Sequence, residues 1–416
     1  MSQALPTVSV IVVSWNRPAD LRLCLMALQQ QDHPKLELRV VADPTSCELV
    51  LAAMQKSGWT GGVSGNPGGN ISVARNIGLQ MAQGEVVAFI DDDAVAEPTW
   101  ARRLAEAFVD PRVVAATGYT RARNGISLQW SADEVDTTGF DHALPLATAP
   151  MTHTGTAQRA VKPVGTNCAF RRSVLMQIGG FDPAYQFYLE DADAGLRLAP
   201  LGRTAVLPGA QVLHGFAASD RRRADRVPTD LSQIGASSQV FLRRHSDPAL
   251  WPVALARLRT EQTERLVQHR RAGRINAAEV ARLLATLVDG IREGETRPLP
   301  ALAPIRPQMQ DPTFLTLPGT GLRPGRSLAG RFWQARRLRA EADRAVAKGE
   351  IVTLFLLSPT ARPHRLRFTE AGYWLHEGGI FGRSDRQGPR VRFGTLRRRV
   401  AEERARWAKV RPVDEG

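Results

Sequence analysis

Three consecutive carboxylates, Asp91, Asp92 and Asp93, directly follow an apolar run at 86–90. Such a run is typical of a strand buried on both faces, and a core cannot hold unpaired acids, so the acids belong at the strand's carboxyl end. Ligands bind at that edge of open α/β sheets, and clustered carboxylates there favour Mg²⁺ or Mn²⁺ carrying phosphates. The competing interpretation is a solvated turn in which Asp93 caps a helix near Pro98.

The elements before these acids alternate between strand and helix. The pattern predicts strands at Val8–Val13 and Leu36–Ala42, helices from Pro18 and at 47–55, a glycine-rich loop at 58–70, and a helix capped by Ser72 and ended by Gly84. This alternation predicts an α/β fold with a mostly parallel, doubly wound sheet. The strand ends at Ser14, Asp43 and Asp91 would then line one crevice.

Weaker patterns follow the acids. A helix is predicted from Pro98 to Phe108, a strand at 113–118, loops and short strands over the active face at 120–162, a helix at 172–178, a helix opened by acids at 190–198, and short strands at 205–207 and 212–214. At the start of the predicted helix 190–198, a second cluster of carboxylates is formed by Glu190, Asp191 and Asp193. Their plain structural role would be to favour a helix N-terminus.

Several segments in this order resemble family 2 glycosyltransferases, which have the GT-A (Rossmann-like) fold. They read VSVIVVSWNRP, VVADPTS, ARNxGLxxAxGEVVAFIDDDA, VGTNCAFRRSVLxxIGGFD and LEDADAGLRLxxLG, followed by a histidine. The resemblance covers 8–214, about half of the chain. It implies transfer of a sugar from a nucleoside diphosphate sugar, with inversion at the anomeric carbon.

The resemblance also implies how the nucleotide is held. Trp15 and Arg17 match positions beside the pyrimidine, and Asp43 matches the acid that bonds to the base. Ala42 departs from the family, where a second acid is common, although UDP- or dTDP-sugars remain the favoured donors. Arg75 matches a residue that faces the diphosphate, and a guanidinium suits phosphate oxygens.

The resemblance also implies which residues bind the metal and which acts as the catalytic base. Asp91 and Asp93 match the family's DxD pair, with Asp92 among the neighbours that touch ribose or sugar. His214 matches a histidine that completes the Mg²⁺ or Mn²⁺ shell in some members, although a lone histidine is often a packed core residue. Asp191 matches the catalytic base, with Glu190 and Asp193 as alternatives in a shifted register.

A loop beside the donor sugar is matched by Gly165, Thr166 and Asn167, where small residues permit close approach. The chain lacks the QxxRW signature of processive members, so a single addition is expected. A sugar nucleotidyltransferase would need a glycine-rich loop where this chain has SWNRP, and a non-catalytic glycan- or nucleotide-binding module would have no need of these acids.

The net charge of +14 is unevenly distributed among the 416 residues. Residues 1–220 hold 17 Lys and Arg against 21 Asp and Glu, whereas 221–416 hold 38 against 20. This asymmetry predicts that the second half meets an anionic partner, with a solvated surface as the alternative. A lipid-linked or glycan acceptor and peripheral contact with an anionic membrane fit the resemblance, and no recognised motif supports nucleic acid.

Composition and spacing bound the remaining possibilities. No apolar run approaches the ~20 residues of a membrane span and no signal peptide is visible, so a cytoplasmic location, peripheral on the inner membrane face, is expected. Three widely spaced cysteines suggest neither zinc nor a disulfide. The expected domains are a catalytic domain at 1–220, a helical extension at 221–296, a proline-rich linker at 297–325 and a basic unit at 326–416.

The second half carries its own pattern. Helices are predicted at 230–244, within 253–291, at 331–347 and at 396–407, with strands at 351–357 and 365–368. Trp333, Tyr373 and Trp374 would stack on sugars or, more commonly for aromatic residues, fill a small core. The helices at 331–344 and 397–406 are the expected basic surfaces.

Overall fold

A computed structural model describes residues 4–59, 61–215, 220–307 and 313–414 of the chain. The strands are β1 Val8–Val13, β2 Leu36–Ala42, β3 Gly62–Gly65, β4 Val86–Asp91, β5 Ala94–Ala96, β6 Val113–Arg121, β7 Leu128–Trp130, β8 Asp133–Asp136, β9 Asp141–Ala143, β10 Met151–Thr154, β11 Arg159–Val161, β12 Asn167–Arg171, β13 Arg203–His214, β14 Gly325–Arg331, β15 Ile351–Ser358, β16 Arg365–Phe368 and β17 Trp374–Gly379. The helices are α1 Pro18–Leu28, α2 Pro44–Ser57, α3 Ile71–Met81, α4 Trp100–Ala107, α5 Arg172–Gln177, α6 Glu190–Leu198, α7 Ser232–His245, α8 Trp251–Arg271, α9 Ala277–Thr296, α10 Ala335–Ala347 and α11 Leu396–Trp407.

The central sheet has the strand order β10-β13-β6-β12-β4-β1-β2-β3, with β5 paired to β13 and β7 paired to β6. Strands β4, β1, β2 and β3 run parallel, as do β13 and β6, whereas β12 is antiparallel to both its neighbours. The strands β1, β2 and β4 are almost wholly buried because helices cover both faces of the sheet. The predicted α/β class with a mostly parallel GT-A-type sheet is confirmed.

The structure corrects three local predictions. Asn70 rather than Ser72 caps α3, since its side chain accepts from the Val73 N–H, while the Ser72 hydroxyl donates to the Tyr185 carbonyl. The loop expected at 58–70 contains β3, which pairs with β2. The two short strands expected near the end of the domain are one continuous strand, β13.

Helices α7 and α9 form a tightly packed pair beside the central sheet. A Cβ on Gly290 would lie 1.9 Å from the Ser232 carbonyl oxygen, so the close approach of the two helices requires glycine there. Leu283, Leu287 and Ile291 of α9 are buried in this part of the core. Apolar side chains of α7, α8 and α9 therefore pack together in one cluster.

The segment expected to be a linker runs along the catalytic domain. The Ile305 N–H donates to the Met176 carbonyl, and the Leu317 N–H donates to the Leu36 carbonyl. Leu317 is 1% exposed within the main core cluster. The described parts of this segment, 297–307 and 313–325, therefore pack against the catalytic domain.

The C-terminal residues form a four-stranded sheet in the order β14-β15-β17-β16. The pattern predicted β15 and β16 but missed β14 and β17, and the helix predicted from 331 begins at Ala335 as α10. Trp374 is fully buried and Tyr373 is 5% exposed, so both fill the core of this unit. Trp333, in contrast, is 63% exposed.

A buried ion pair joins the C-terminal unit to the catalytic domain. The Nε and Nη2 atoms of Arg411 donate to the two oxygens of the Glu97 carboxylate, at 2.9 and 2.5 Å. Both side chains are fully buried. The guanidinium also lies 4.0 Å from the Trp374 ring centre. Glu97 directly follows β5, so this pair anchors the C-terminal unit to the chain that leaves the acidic strand end.

We expect Arg411→Met to lower the free energy of unfolding by about 3–5 kcal/mol, because it leaves the Glu97 charge buried without its partner. Urea denaturation measures the change. The control, Arg326→Met, removes the partly exposed pair with Glu350 at 3.1 Å and should cost no more than about 1 kcal/mol. Equal losses in the two variants would contradict a special role for the buried pair.

Candidate active site

The first strand end presents an aromatic side chain over a glycine turn. Asn16 takes a left-handed φ of +56°, and its backbone N–H donates to Asp43 at 2.8 Å. Trp15 is 38% exposed, and a Cβ on Gly68 would lie 2.7 Å from its ring. The exposed indole therefore rests against backbone that only glycine can bring so close.

Asp43 is fixed by its own helix. Its side chain caps α2 by accepting from the backbone N–H and the hydroxyl of Ser46, at 3.1 and 2.6 Å. Burial acts to raise the pKa of Asp43, but the hydrogen bonds from Ser46 and Asn16 outweigh it and lower the pKa. Asp43 is thus held as a carboxylate at the end of β2, where the sequence placed it.

The acids after β4 meet His214 at the end of β13. The His214 Nε2 atom lies 3.1 Å from an Asp93 oxygen and 3.9 Å from an Asp91 oxygen, and candidate ligand atoms of all three residues lie within 4.8 Å of one another. β13 pairs with β5, and His214 is opposite Ala94, the residue after Asp93. Because β5 follows Asp93 directly and Thr99 precedes α4, Asp93 does not cap a helix.

Gln129, which the sequence analysis missed, orients this histidine. The Gln129 Oε1 atom lies 3.1 Å from His214 Nδ1. An amide oxygen only accepts, so a hydrogen bond here has Nδ1 as its donor, and the other ring nitrogen, Nε2, is directed toward the acids. The Trp130 ring also lies against the imidazole, with ring centres 6.1 Å apart. β7 belongs to the region 120–162, where periodicity was too weak to identify it.

Two carboxylates and one imidazole nitrogen face one another in this group. Oxygen donors with one imidazole suit Mn²⁺ and also admit Mg²⁺. A hydrogen bond from His214 Nδ1 to Gln129 is the outer contact that metal-binding histidines usually make. Asp91, Asp93 and His214 could therefore hold the divalent ion that the sequence predicted.

Asp92 lies behind this group. It is fully buried, accepts from the Ser14 hydroxyl at 2.7 Å and pairs with Arg17 at 2.8 Å. Burial raises the pKa of Asp92 to about 7, although Arg17 and Ser14 oppose the change. Arg17, whose side chain is 25% exposed, also contacts Asp93 at 3.4 Å, so it links Asp92 to the candidate metal group.

Arg75 lies between the two carboxylate groups. Its guanidinium contacts Glu190 at 2.7 Å and Asp91 at 3.7 Å and is only 4% exposed. A Cβ on Gly165 would lie 2.4 Å from this guanidinium, so Gly165 makes the space that Arg75 occupies. Burial raises the pKa of Glu190, with Arg75 opposing it. The structure thus brings Arg75, Gly165 and Glu190 together.

Asp191 is the second residue of α6, which follows a strained stretch of backbone. Tyr188 and Leu189 both take positive φ, +78° and +67°, which is costly for residues with a Cβ and is found mainly at functional sites. One Asp191 oxygen accepts from the Gly165 N–H at 2.9 Å. Thr166, which follows Gly165, donates its hydroxyl hydrogen to Asp91 at 2.5 Å. Consecutive residues therefore tie Asp191 to the metal ligands.

Two predicted residues serve the fold around the site. The Asn167 side chain is fully buried, donates to the Tyr119 and Ala210 carbonyls and accepts from the Trp100 indole, so the structure does not bring it into the crevice. Asp193 is fully buried and contacts Arg197 at 2.6 Å and His245 of α7 at 2.9 Å. Asp193 is thus a poorer base than the partly exposed Asp191.

A second group with metal-ligating side chains, His364, His376 and Glu403, is buried in the C-terminal unit. The two imidazoles contact each other at 2.9 Å, and Arg399 and Arg411 lie 3.4 and 3.3 Å from their outer nitrogens. Burial lowers the pKa of His364 to about 4. Two guanidinium groups against neutral imidazoles favour a hydrogen-bonded network over a cation site.

Comparison with known proteins identifies the family. The model of the glycosyltransferase like family 2 matches residues 6–226, more than half of the chain, so the chain belongs to this family. The match ends before α7, as the resemblance read from the sequence did. Within the described residues, no helix has the length and apolar character needed to cross a membrane.

The individual relatives are more distant. The O-antigen biosynthesis protein RfbC of Myxococcus xanthus is 27% identical over 237 residues, covering 54% of this chain and 18% of that protein. The N-acetylglucosaminyl-diphospho-decaprenol L-rhamnosyltransferase of Mycobacterium tuberculosis is 39% identical over 93 residues, 22% of this chain and 29% of that enzyme. The chain thus spans less than a third of either relative. Among solved structures, GalNAc-T7 with UDP, GalNAc and Mn²⁺ gives a TM-score of 0.46 at 16% identity, covering 58% of this chain and 48% of that one.

We expect Asp93→Asn to weaken Mn²⁺ binding beyond detection and Gln129→Leu to weaken it by roughly 10- to 100-fold, the usual scale for an outer contact of a ligand. Titration of Mn²⁺ followed by electron paramagnetic resonance measures both. Glu106→Gln, which changes an exposed acid of α4, is the matched control. Wild-type Mn²⁺ affinity in Asp93→Asn would remove this residue from the metal site.

Proposed function

We propose that the chain is an inverting glycosyltransferase that moves one sugar from a UDP- or dTDP-sugar to a hydroxyl of a glycan or lipid-linked acceptor. The observation that carries this proposal is the link through Gly165 and Thr166, which hold Asp191 and Asp91 at neighbouring positions. A base and an acidic metal group so close together suit a reaction in which a proton leaves on one side while negative charge grows on the other.

In the proposed reaction, the acceptor oxygen attacks the anomeric carbon from the side opposite the diphosphate. A new C–O bond forms, the bond to the diphosphate breaks with its electron pair, and the acceptor proton passes to the Asp191 carboxylate. Asp191 suits this role because it is partly exposed and its orientation is set by the Gly165 N–H. Glu190, buried against Arg75, is the less accessible of the two acids.

Donor binding falls to the remaining residues of the crevice. Trp15 and Asp43, at the ends of β1 and β2, would hold the base, and Arg75 would face the diphosphate. A divalent ion held by Asp91, Asp93 and His214 would supply positive charge to the departing diphosphate. Arg17 and Asp92 support this arrangement through their contacts with Asp93 and Ser14.

The acceptor and the location follow from charge. The strongly basic second half supports an acceptor displayed at an anionic surface, so we propose a role in polysaccharide assembly at the cell envelope. The enzyme would then act in the cytoplasm, at the inner face of the membrane. Juxtamembrane basic residues contribute about 1 kcal/mol each at such a surface.

We expect Asp191→Asn to lower the transfer rate by roughly 100-fold or more while donor affinity stays near wild type, because asparagine keeps an oxygen for the Gly165 N–H but cannot take the proton. A panel of nucleotide sugars assayed with Mn²⁺ would first identify the donor, and nuclear magnetic resonance of the product reports its anomeric configuration. Wild-type turnover in Asp191→Asn would assign the base to Glu190. A product with retained configuration would overturn the inverting mechanism.

A further inference from the structure

One edge of the C-terminal sheet collects the loops that follow three parallel strands. β14, β15 and β17 are in register, with Arg331 opposite Leu357 and Leu357 opposite Gly378. The carboxyl ends of parallel strands lie on one side, so the chain after each strand emerges there. Neighbouring strands are about 4.8 Å apart, which makes this side roughly 10 Å wide. We call residues 331–333, 360–362 and 390–397 the arginine-aromatic edge.

The last of these segments returns to the edge through backbone pairing. The Arg392 N–H donates to the Phe381 carbonyl at 2.8 Å, and Val391 forms a β-bridge with Gly382. Both partners directly follow β17. Val391 and Phe393 therefore lie beside the end of β17, on the same side of the sheet as Phe332.

Large apolar side chains are exposed along this edge. Phe332 is 55% exposed, Trp333 63%, Val391 53% and Phe393 92%. The Phe332 and Trp333 rings contact each other edge to face, with centres 5.0 Å apart. Single exposed apolar residues are ordinary, but several on one edge mark an interaction surface.

Exposed arginines lie among these side chains. Arg362, Arg390 and Arg397 are all exposed. Arg397 is in the first turn of α11, where the helix dipole disfavours a cation. The next two residues are compensated there, since Arg398 pairs with Glu402 and Arg399 with Glu403. Within the described parts of the chain, Arg397 has no such ion pair.

The arginines of α11 differ in their contacts. Besides those two pairs, Arg404 donates to the Ser327 hydroxyl and Arg406 to the Ser384 carbonyl. Arg397, Arg398 and Arg406 are nevertheless exposed. Exposed positive charge therefore lies both on α11 and on the loops of the edge.

The edge also lies beside the catalytic domain. Arg386, in the loop between β17 and residue 390, donates to the Ser127 hydroxyl at 3.1 Å. Ser127 immediately precedes β7, whose Gln129 contacts His214. The loop that leads from β17 to residues 390–397 of the edge thus contacts the catalytic domain next to β7.

We infer that the arginine-aromatic edge docks the protein on an anionic lipid bilayer, with the aromatic rings at headgroup level and the arginines on lipid phosphates. Exposed aromatic side chains flanked by cations on protruding loops suit a membrane surface. Nucleic acid would instead call for a basic groove that tracks its backbone. The inference rests on the proposed function only in that a lipid-linked acceptor would give this docking its purpose.

Vesicle flotation of the full-length protein tests the inference. We expect binding to mixed phosphatidylcholine–phosphatidylglycerol vesicles at low salt, release at high salt, and no binding to phosphatidylcholine alone. The triple variant Arg362→Gln, Arg390→Gln, Arg397→Gln should bind on the order of 100-fold more weakly, from about 1 kcal/mol per basic residue. Phe332→Ser with Trp333→Ser should also weaken binding.

The matched control removes the same charge elsewhere. The control is a triple variant of exposed α8 residues, Arg259→Gln, Arg270→Gln, Arg271→Gln. It should bind the vesicles as the wild type does. Equal losses in both triple variants would mean that net charge alone acts, and undiminished binding in the edge variant would overturn the inference. Binding of DNA in preference to vesicles would also overturn it. Asp93→Ala should float normally while losing donor hydrolysis, which separates this test from that of the proposed function.

Discussion

The structure depends on balancing the negative charge gathered at one end of the sheet. Asp91, Asp92, Asp93 and Glu190 are buried or half-buried there, and two guanidinium groups, Arg17 and Arg75, contact all four. At 4 Å two opposite charges near a protein surface attract by about 4 kcal/mol, and like charges repel equally. Because four acids gather here, a cation beside His214 would be electrostatically favourable.

The helical extension and the C-terminal unit hold that end of the sheet in place. His245 of α7 contacts Asp193 within α6, so the extension fixes the helix that carries Asp191. Arg411 holds Glu97 at the end of β5, the strand that connects the acids to β13. The residues outside the family match are therefore part of the framework that positions Asp191, Asp91 and Asp93.

The sequence was sufficient where one physical cause dominates. The patterns of β1, β2 and β4 predicted buried strands, and the acids after β2 and β4 were predicted to lie at strand ends. Other features depend on contacts far along the chain. Glycine-rich β3 is a strand because β2 offers it an edge, and Asn167 is buried because Trp100 and Ala210 satisfy its amide. Gln129 lies in a region without periodicity, so its contact with His214 could not be anticipated from the sequence.

Gly165 shows how closely the two halves of the site are coupled. Its backbone N–H orients Asp191, its missing side chain gives Arg75 its space, and its neighbour Thr166 holds Asp91. A methyl group there would push against a guanidinium that is paired on both sides, so a shift at Arg75 would disturb Glu190 and Asp91 together. The small residue expected for access to the donor sugar is thus also required by packing, because Asp191, Arg75 and, through Thr166, Asp91 are all held around this one backbone position.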